Sequence, residues 1–222
     1  MLSQILVCVV MVALTTVSCH PEGPPLEACV DMFPTGHKVD AQKSTAIANI
    51  ALRRADGSKA TTYSANEMIT VTLATANPSD TTIYYEGMFV QARRANCGSD
   101  KRTEPVGKFT HEPSNYLKTL DCGGITKSAI CHKDHIHQTN QTFTWTAPAT
   151  PVGHIYFQAT VVKNTQTFWT GVTSEFLKDS NDQSAPKYCE YRKTNGADVK
   201  SPAMAVVVLG LSLALANVVH FS

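Results

Sequence analysis

The sequence lacks the short motifs that mark common catalytic and nucleotide-binding sites. It contains no G-x-S-x-G, H-E-x-x-H or G-x-G-x-x-G pattern and no Walker loop for phosphate. The pair His111-Glu112 precedes Pro113, which argues against a helix that carries metal ligands. These absences predict that the protein is not an enzyme and that it uses no cofactor.

A strong net charge is also missing. The 222 residues include 19 basic and 18 acidic side chains, for a formal net charge of +1. A net charge so close to zero does not indicate nucleic acid as a partner. Arg93-Arg94 and Lys101-Arg102 form a small basic cluster, which is more often a solvated loop end than a site for a heparin-like or phosphate ligand. We take these four residues as the candidate site for an anionic polymer.

Charged residues are absent from residues 2–19, which contain the apolar run from Ile5 to Leu14. This run has the length of the apolar region of a secretory signal peptide and is too short to span a bilayer. Pro21, Pro24 and Pro25 follow closely and argue against a buried helix. Residues 1–19 are therefore predicted to be a signal peptide.

The C-terminal end also lacks charge over its last apolar run, residues 203–219. Three small residues begin at Asn195, and residues 198–222 form a polar spacer followed by a hydrophobic tail. This order is typical of a signal for a glycosylphosphatidylinositol (GPI) anchor attached at Asn195. The spacer is shorter than usual, and a single-pass helix is the alternative. Both ends predict a protein on the extracellular face of the plasma membrane, or one released from it.

An extracellular location changes what the seven cysteines are for, because thiols are usually oxidised there. Cys8 leaves with the signal peptide, and Cys19 stays or leaves with the cleavage site. An even number of cysteines favours cleavage before Cys19. Asn140 begins a usable glycosylation sequon, whereas proline excludes the one at Asn77.

Sustained helical periodicity is absent, and the patterns that are present indicate strands. Ile69, Val71 and Leu73 alternate with polar neighbours, and further segments are rich in β-branched and aromatic residues. Trp145 and Trp169 are predicted to be core aromatics. Seven to nine short strands between turn clusters predict an antiparallel β-sandwich. Residues 177–197 are polar and predict a stalk.

Several motifs in order carry a resemblance to a known family. They are ACVDMFPTGH (28–37), YYEGMFVQAR (84–93), VGKF (106–109), LDC (120–122), FTWTAP (143–148) and GHIYFQATVVKNTQTFWTGVTS (153–174). This chain resembles the reeler domains of reelin and spondins, of ferric-chelate-reductase-like proteins and of insect defence proteins. The resemblance covers residues 24–176 and implies an immunoglobulin-like antiparallel β-sandwich with disulfides. The haem-binding and multi-helix membrane regions of the reductase-like members are missing here, so their activity is not implied.

The resemblance also bears on the cysteines. It implies a Cys29–Cys122 disulfide. Cys97 and Cys131 stand where the common family pattern has no cysteine, so we expect these two to pair with each other. Cys189 is left to pair with Cys19, to remain free or to cross-link two chains.

The stretch CHKDHIH, residues 131–137, concentrates potential metal ligands. If Cys131 is in a disulfide, the remaining ligands are His132, His135 and His137. On a strand, the last two would point to the same face, close enough to share a metal ion. Incidental surface histidines are the more ordinary interpretation, and zinc or copper binding and a pH-sensitive patch are the alternatives.

These observations predict a non-catalytic extracellular binding module. The likeness to insect defence proteins implies innate immune recognition of a microbial polysaccharide or lipopolysaccharide by the basic cluster. The likeness to reelin and spondins implies a rival role in adhesion or matrix signalling, with a host protein or a glycosaminoglycan as partner. Extracellular metal binding by the histidines is the third hypothesis.

Overall fold

The computed structural model describes residues 23–189. The predicted signal peptide and hydrophobic tail lie outside these residues, as does Asn195. The described chain forms eleven strands, one short α-helix (α1, Ala28–Asp31) and a 3₁₀-helix, Thr35–His37. The prediction of an all-β protein is confirmed.

The strands follow one another through three sheets. In chain order they are Ala48–Arg53 (β1), Thr62–Tyr63 (β2), Met68–Thr75 (β3), Gly87–Arg94 (β4), Lys108–Thr110 (β5), Leu117–Cys122 (β6), Ile125–His132 (β7), Asn140–Thr146 (β8), Ile155–Asn164 (β9), Thr167–Thr173 (β10) and Lys178–Asp179 (β11). One antiparallel sheet has the order β1-β3-β8-β5, and the other has the order β10-β9-β4-β7-β6. A small parallel pair joins β11 to β2.

The two large sheets bury an apolar core between them, and β3 shows why. Ile69, Val71 and Leu73 are fully buried, whereas Met68 is 66% exposed. Successive side chains of a strand point to opposite faces, so one face of β3 is apolar and the other is polar. This confirms the alternation that the sequence predicted.

Aromatic side chains fill the centre of this core. Trp145 is fully buried, and its indole N–H donates a hydrogen bond to the carbonyl oxygen of Val106 at 2.8 Å. Its ring packs edge-on against Phe157 and Tyr63, at centroid distances of 5.3 and 6.0 Å. Trp169 is also buried. Both tryptophans are core aromatics, as predicted, and burial of such a side chain stabilises a fold by roughly 1.5–3 kcal/mol.

The five-stranded sheet is covered on its outer face too. Residues 87–93 of β4 are all buried, although antiparallel sheets often leave one face to solvent. The cover is the N-terminal segment, residues 23–38, which includes α1 and the 3₁₀-helix. Ala28, Cys29 and Met32 from this segment pack with Phe89 of β4 and Cys131 of β7 in a second buried cluster.

The residues after β10 pack onto the sandwich as well. Leu177 is fully buried and exchanges backbone hydrogen bonds with Ile155 at 2.9 and 3.0 Å. His154 Nδ1 accepts a hydrogen bond from the backbone N–H of Asp179 at 3.0 Å. These contacts correct the prediction of a stalk for residues 177–189, which belong to the folded domain; residues 190–197 lie outside the described residues.

Candidate functional site

The outer face of β4 is the floor of the candidate site. Met88, Val90 and Ala92 point into the core between the sheets. Strand geometry then turns the alternate residues outward, beneath the N-terminal segment. From one end of the strand to the other, these outward residues are Gly87, Phe89, Gln91 and Arg93.

Two of the outward residues hold the N-terminal segment in place. The Gln91 amide donates to the carbonyl oxygen of Cys29 at 3.3 Å. The Arg93 guanidinium donates to the same oxygen at 2.7 Å, to Val30 at 3.2 Å and to Thr103. Burial lowers the pKa of Arg93 to about 10, so the guanidinium stays charged at neutral pH. We call this arrangement the clamp.

A disulfide reinforces the clamp. Cys29 in α1 is bonded to Cys122 at the end of β6, which is the pair that the family resemblance implies. Both cysteines are buried. The Gln91 amide also lies 3.0 Å from the sulfur of Cys122. The segment is therefore fixed to the sheet by covalent and polar contacts together.

At the other end of β4, the N-terminal segment and the sheet enclose a cleft of about 120 Å³. Its lining is mainly apolar, and polar side chains lie around it. The apolar lining includes the side chains of Met32, Phe33, Phe89 and Val162. The polar lining includes His37, Glu86, His132, His135 and Asn164.

A glycine keeps the floor of the cleft open. A Cβ on Gly87 would lie 3.1 Å from the His132 ring and from the Val162 side chain. These contacts are tighter than ordinary van der Waals packing, so a larger side chain would displace its neighbours or enter the cleft. The cleft therefore keeps its shape because residue 87 is a glycine.

The first histidine of the cleft carries an unused polar atom. Within residues 23–189, the buried Nδ1 of His37 has no hydrogen-bond partner. The ring stands edge-on to Phe168 at 5.4 Å. Burial lowers the pKa of His37, although the backbone of Thr165 partly opposes this effect. The imidazole is therefore mainly neutral at pH 7, and it can exchange one hydrogen bond with a ligand.

The second histidine is tied to the floor. His132 Nδ1 lies 3.2 Å from the backbone nitrogen of Met88 and 3.1 Å from its carbonyl oxygen. Burial lowers the pKa of His132 as well, with a smaller opposing effect from the Met88 backbone. The cleft is thus lined by two imidazoles whose pKa values burial lowers, by the exposed imidazole of His135 and by one carboxyl group, that of Glu86.

The structure does not bring the three candidate metal ligands together. Strand β7 ends at His132, so the three histidines do not share a strand. His135 is exposed, whereas His137 stacks on Tyr84 at 3.6 Å and lies 3.0 Å from a carboxylate oxygen of Glu86. No three histidine, cysteine or acidic side chains within residues 23–189 are placed to hold a metal ion.

The structure contradicts the predicted basic site at Arg93, which is buried. The other three residues of that site differ in their exposure to solvent. Arg93 is 4% exposed and belongs to the clamp. Arg94 donates to the backbone oxygen of Lys101 at 3.2 Å and lies 4.0 Å from Glu104. Lys101 and Arg102 are exposed. The four residues therefore do not present one continuous cationic surface.

The predicted pairing of Cys97 with Cys131 is also wrong. Cys131 lies opposite Phe89, and β4 continues for roughly 16 Å beyond that point before Cys97 follows it. Cys97 is bonded to Cys189 instead. Cys131 is the free cysteine of the described chain, and burial raises the pKa of its thiol to about 12. Such a thiol is unreactive at neutral pH.

The remaining predicted sites concern attachment. Asn140 is exposed at the start of β8, so glycosylation there stays a prediction. Asn195 lies outside the described residues. No helix among residues 23–189 is long and apolar enough to cross a membrane.

The cleft was not predicted, although its residues carry a signal. Its roof comes from ACVDMFPTGH and its floor from YYEGMFVQAR, two of the motifs that carried the resemblance. Met32, Phe33 and Phe89 are large apolar residues of these two motifs to which no role was assigned. The convergence of two motifs on one surface became visible only when the chain was folded.

The described chain is therefore an antiparallel β-sandwich with a disulfide-clamped N-terminal segment. The reeler domain family matches residues 27–185. The chain belongs to the reeler domain family, a family of extracellular modules.

Several known proteins are similar to this chain. "Putative defense protein 3" of Antheraea mylitta is 33% identical over 165 residues, which cover 74% of this chain and 90% of that protein. "Putative ferric-chelate reductase 1" of Danio rerio is 30% identical, but the match covers 77% of this chain and only 27% of that protein. The human F-spondin reeler domain is 20% identical, with a TM-score of 0.49 over 64% of this chain and 96% of that chain.

Proposed function

We propose that this protein is a non-catalytic binding module of innate defence, displayed outside the cell, and that the cleft is its recognition site. The observation that carries the proposal is the convergence of two family motifs on an apolar cleft with an unpaired, buried imidazole nitrogen. Concave, mainly apolar sites with a few polar groups are the usual form of a small-molecule site. The names of the insect relatives favour defence, and the ligand would be part of a microbial surface molecule.

The position of the C-terminal segment supports display on a membrane. Cys189, the last described residue, is bonded to Cys97, which follows the end of β4 at Arg94. The cleft lies at the opposite end of β4, near Gly87, roughly 23 Å along the strand. The last described residue and the cleft thus lie at opposite ends of β4. Release of surface protein by a phospholipase that cleaves GPI anchors tests this part, and a product that stays on the membrane contradicts it.

Binding to microbial surfaces tests the recognition role. The full chain would be expressed in cultured cells, and the mature protein would be offered bacteria, β-glucan, lipopolysaccharide and heparin at physiological salt. We expect saturable binding to a microbial molecule, and loss of that binding in Val162→Trp, which fills the cleft. Met68→Trp is the matched control, because Met68 is exposed on the other sheet. Binding that survives Val162→Trp would remove the cleft from the proposal.

A role in adhesion or matrix signalling is the second candidate. It is favoured by Lys101 and Arg102, whose exposed side chains are free to meet a sulfated glycan. In this case heparin would be the ligand retained in the same experiment. Its binding would decrease with salt and would be lost in the double variant Lys101→Ser/Arg102→Ser, while Val162→Trp would leave it unchanged.

A further inference from the structure

The lining of the cleft restricts the chemistry of its ligand, and this restriction goes further than the proposed function on which it rests. Met32 is fully buried and contributes a flexible, polarisable side chain to the lining. Phe33 and Phe89 add aromatic surface. An apolar group with an unbranched, adaptable shape fits such walls better than a polar sugar does.

The size of the cleft sets the length of that apolar group. Its volume is about 120 Å³. An engineered protein cavity of about 150 Å³ with an apolar lining takes up benzene, a molecule of six carbon atoms. The cleft therefore accommodates a chain segment of roughly this number of carbons.

The polar groups of the cleft decide what the apolar group is attached to. His37 has a buried Nδ1 without a partner within residues 23–189, and its ring is mainly neutral at pH 7. Glu86 places the only carboxylate among the lining residues at the same cleft. A ligand carboxylate would be repelled by Glu86, whereas an uncharged hydroxyl, ester or amide would not be.

We propose that the cleft binds an unbranched alkyl or acyl chain whose end group is uncharged and exchanges a hydrogen bond with Nδ1 of His37. A microbial acylated lipid and a host lipid can both supply this chemistry. Each methylene that enters the cleft strengthens binding by roughly four-fold until the cleft is full.

Photolabelling of the full chain tests the proposal. Cells that express the protein would be treated with hexan-1-ol carrying a diazirine on its chain, irradiated, and the protein mapped by peptide analysis. We expect labels on Met32, Phe33 and Phe89, and competition that improves from butan-1-ol to hexan-1-ol. Hexanoate should compete less well than hexan-1-ol. Absence of labels at these residues, including the case in which residues before Gly23 occupy the cleft, would overturn the proposal.

Two variants test separately the apolar contacts of the ligand and its hydrogen bond to His37. Val162→Trp should abolish the labels, while Met68→Trp should leave them intact. His37→Phe keeps the ring against Phe168 and removes both nitrogens; it should weaken competition by hexan-1-ol by roughly two- to ten-fold and leave competition by hexane unchanged. Equal loss for both competitors would show a structural effect only and contradict the role of Nδ1. Correct folding is checked by an intact Cys29–Cys122 disulfide.

Failure of this inference is distinguishable from failure of the proposed function. If microbial particles bind through the cleft but no alkyl probe labels it, the ligand class is wrong and the recognition role stands. If the probe labels the cleft but no microbial molecule binds, the ligand class stands and defence is wrong. Displacement of the probe by purified lipopolysaccharide or by host phospholipid vesicles identifies the source of the chain.

Discussion

The two faces of the five-stranded sheet are closed by different means. The inner face packs Met88, Val90 and Ala92 of β4 against the aromatic core of the other sheet. The outer face is closed by the N-terminal segment, which Arg93 and a disulfide hold. Apolar packing leaves little space on the inner face, whereas the outer cover leaves a cleft where the clamp ends. In this protein, the face held by a few strong anchors keeps an open cleft, and the face closed by continuous packing does not.

Removal of a disulfide should have the largest effect on stability, and the two disulfides can be compared directly. Their cysteines are separated by 93 and 92 residues, so chain entropy predicts the same stabilisation, about 4–5 kcal/mol each. Removal of the Cys29–Cys122 bond as a double alanine variant should cost more than removal of Cys97–Cys189, because the first bond also holds the buried clamp. Chemical denaturation of both double variants measures the difference. Equal losses would show that the outer cover gains nothing from its burial.

Removal of a core aromatic side chain should have the next largest effect on the free energy of unfolding. This change should disturb only the inner face of the sheet. Trp145→Ala creates a cavity and removes the hydrogen bond to Val106, at a cost of about 3–5 kcal/mol in the free energy of unfolding. Met68→Ala on the exposed face of β3 is the control. If binding at the cleft changes in Trp145→Ala while the protein remains folded, the two faces are not independent.

Disruption of the clamp should cost less and should act on the outer face. Arg93→Met leaves the carbonyl oxygens of Val30 and Thr103 without their guanidinium donor, with a loss of about 1–3 kcal/mol. Faster proteolysis of residues 23–38 should accompany this loss. The exposed Arg102→Met is the matched control, and an equal effect in both variants would refute the role of the clamp.

Acidification should have the smallest effect. Burial holds the pKa of His132 below its unfolded value of 6.5, so the unfolded chain binds more protons and stability falls as the pH falls from about 7 through 6.5. Lys118, His37 and Asp134 also act on this ring. His132→Asn keeps a polar atom near Met88 and removes the titration. The free energy of unfolding should depend less steeply on pH in the variant, and an unchanged slope would contradict this assignment.

The sequence predicted the fold class from strands whose pattern is set locally. In β3 and β8, alternation and aromatic content match the observed strands because one face of each meets the core. The hairpin of β6 and β7, residues 117–132, was not predicted, because polar residues such as Lys118 and Lys127 interrupt its pattern. Pairing with β4 makes this segment a strand, and such a contact is not local.

The candidate sites were less accessible to sequence reasoning than the fold. Arg93 and Arg94 are adjacent in sequence and were assigned one role, but a strand turns neighbouring side chains to opposite faces. Cys97 and Cys131 were paired because they were the two additional cysteines, yet their distance depends on where β4 and β7 run. The charge of each side chain and the number of cysteines can be read from the sequence, whereas the distance between two residues in the fold cannot.

The sequence by itself determined the reeler family, the antiparallel sandwich, its aromatic core and the Cys29–Cys122 bond that the family likeness implied. The sandwich and its core follow from side-chain alternation and from motifs within single segments, whereas the disulfide came only from the family resemblance. Only the tertiary structure decided that Arg93 is a clamp, that Cys189 pairs with Cys97 and that two motifs enclose a cleft. Each of these depends on residues more than fifty positions apart in the chain, and long-range contacts of this kind leave no periodic pattern in the sequence.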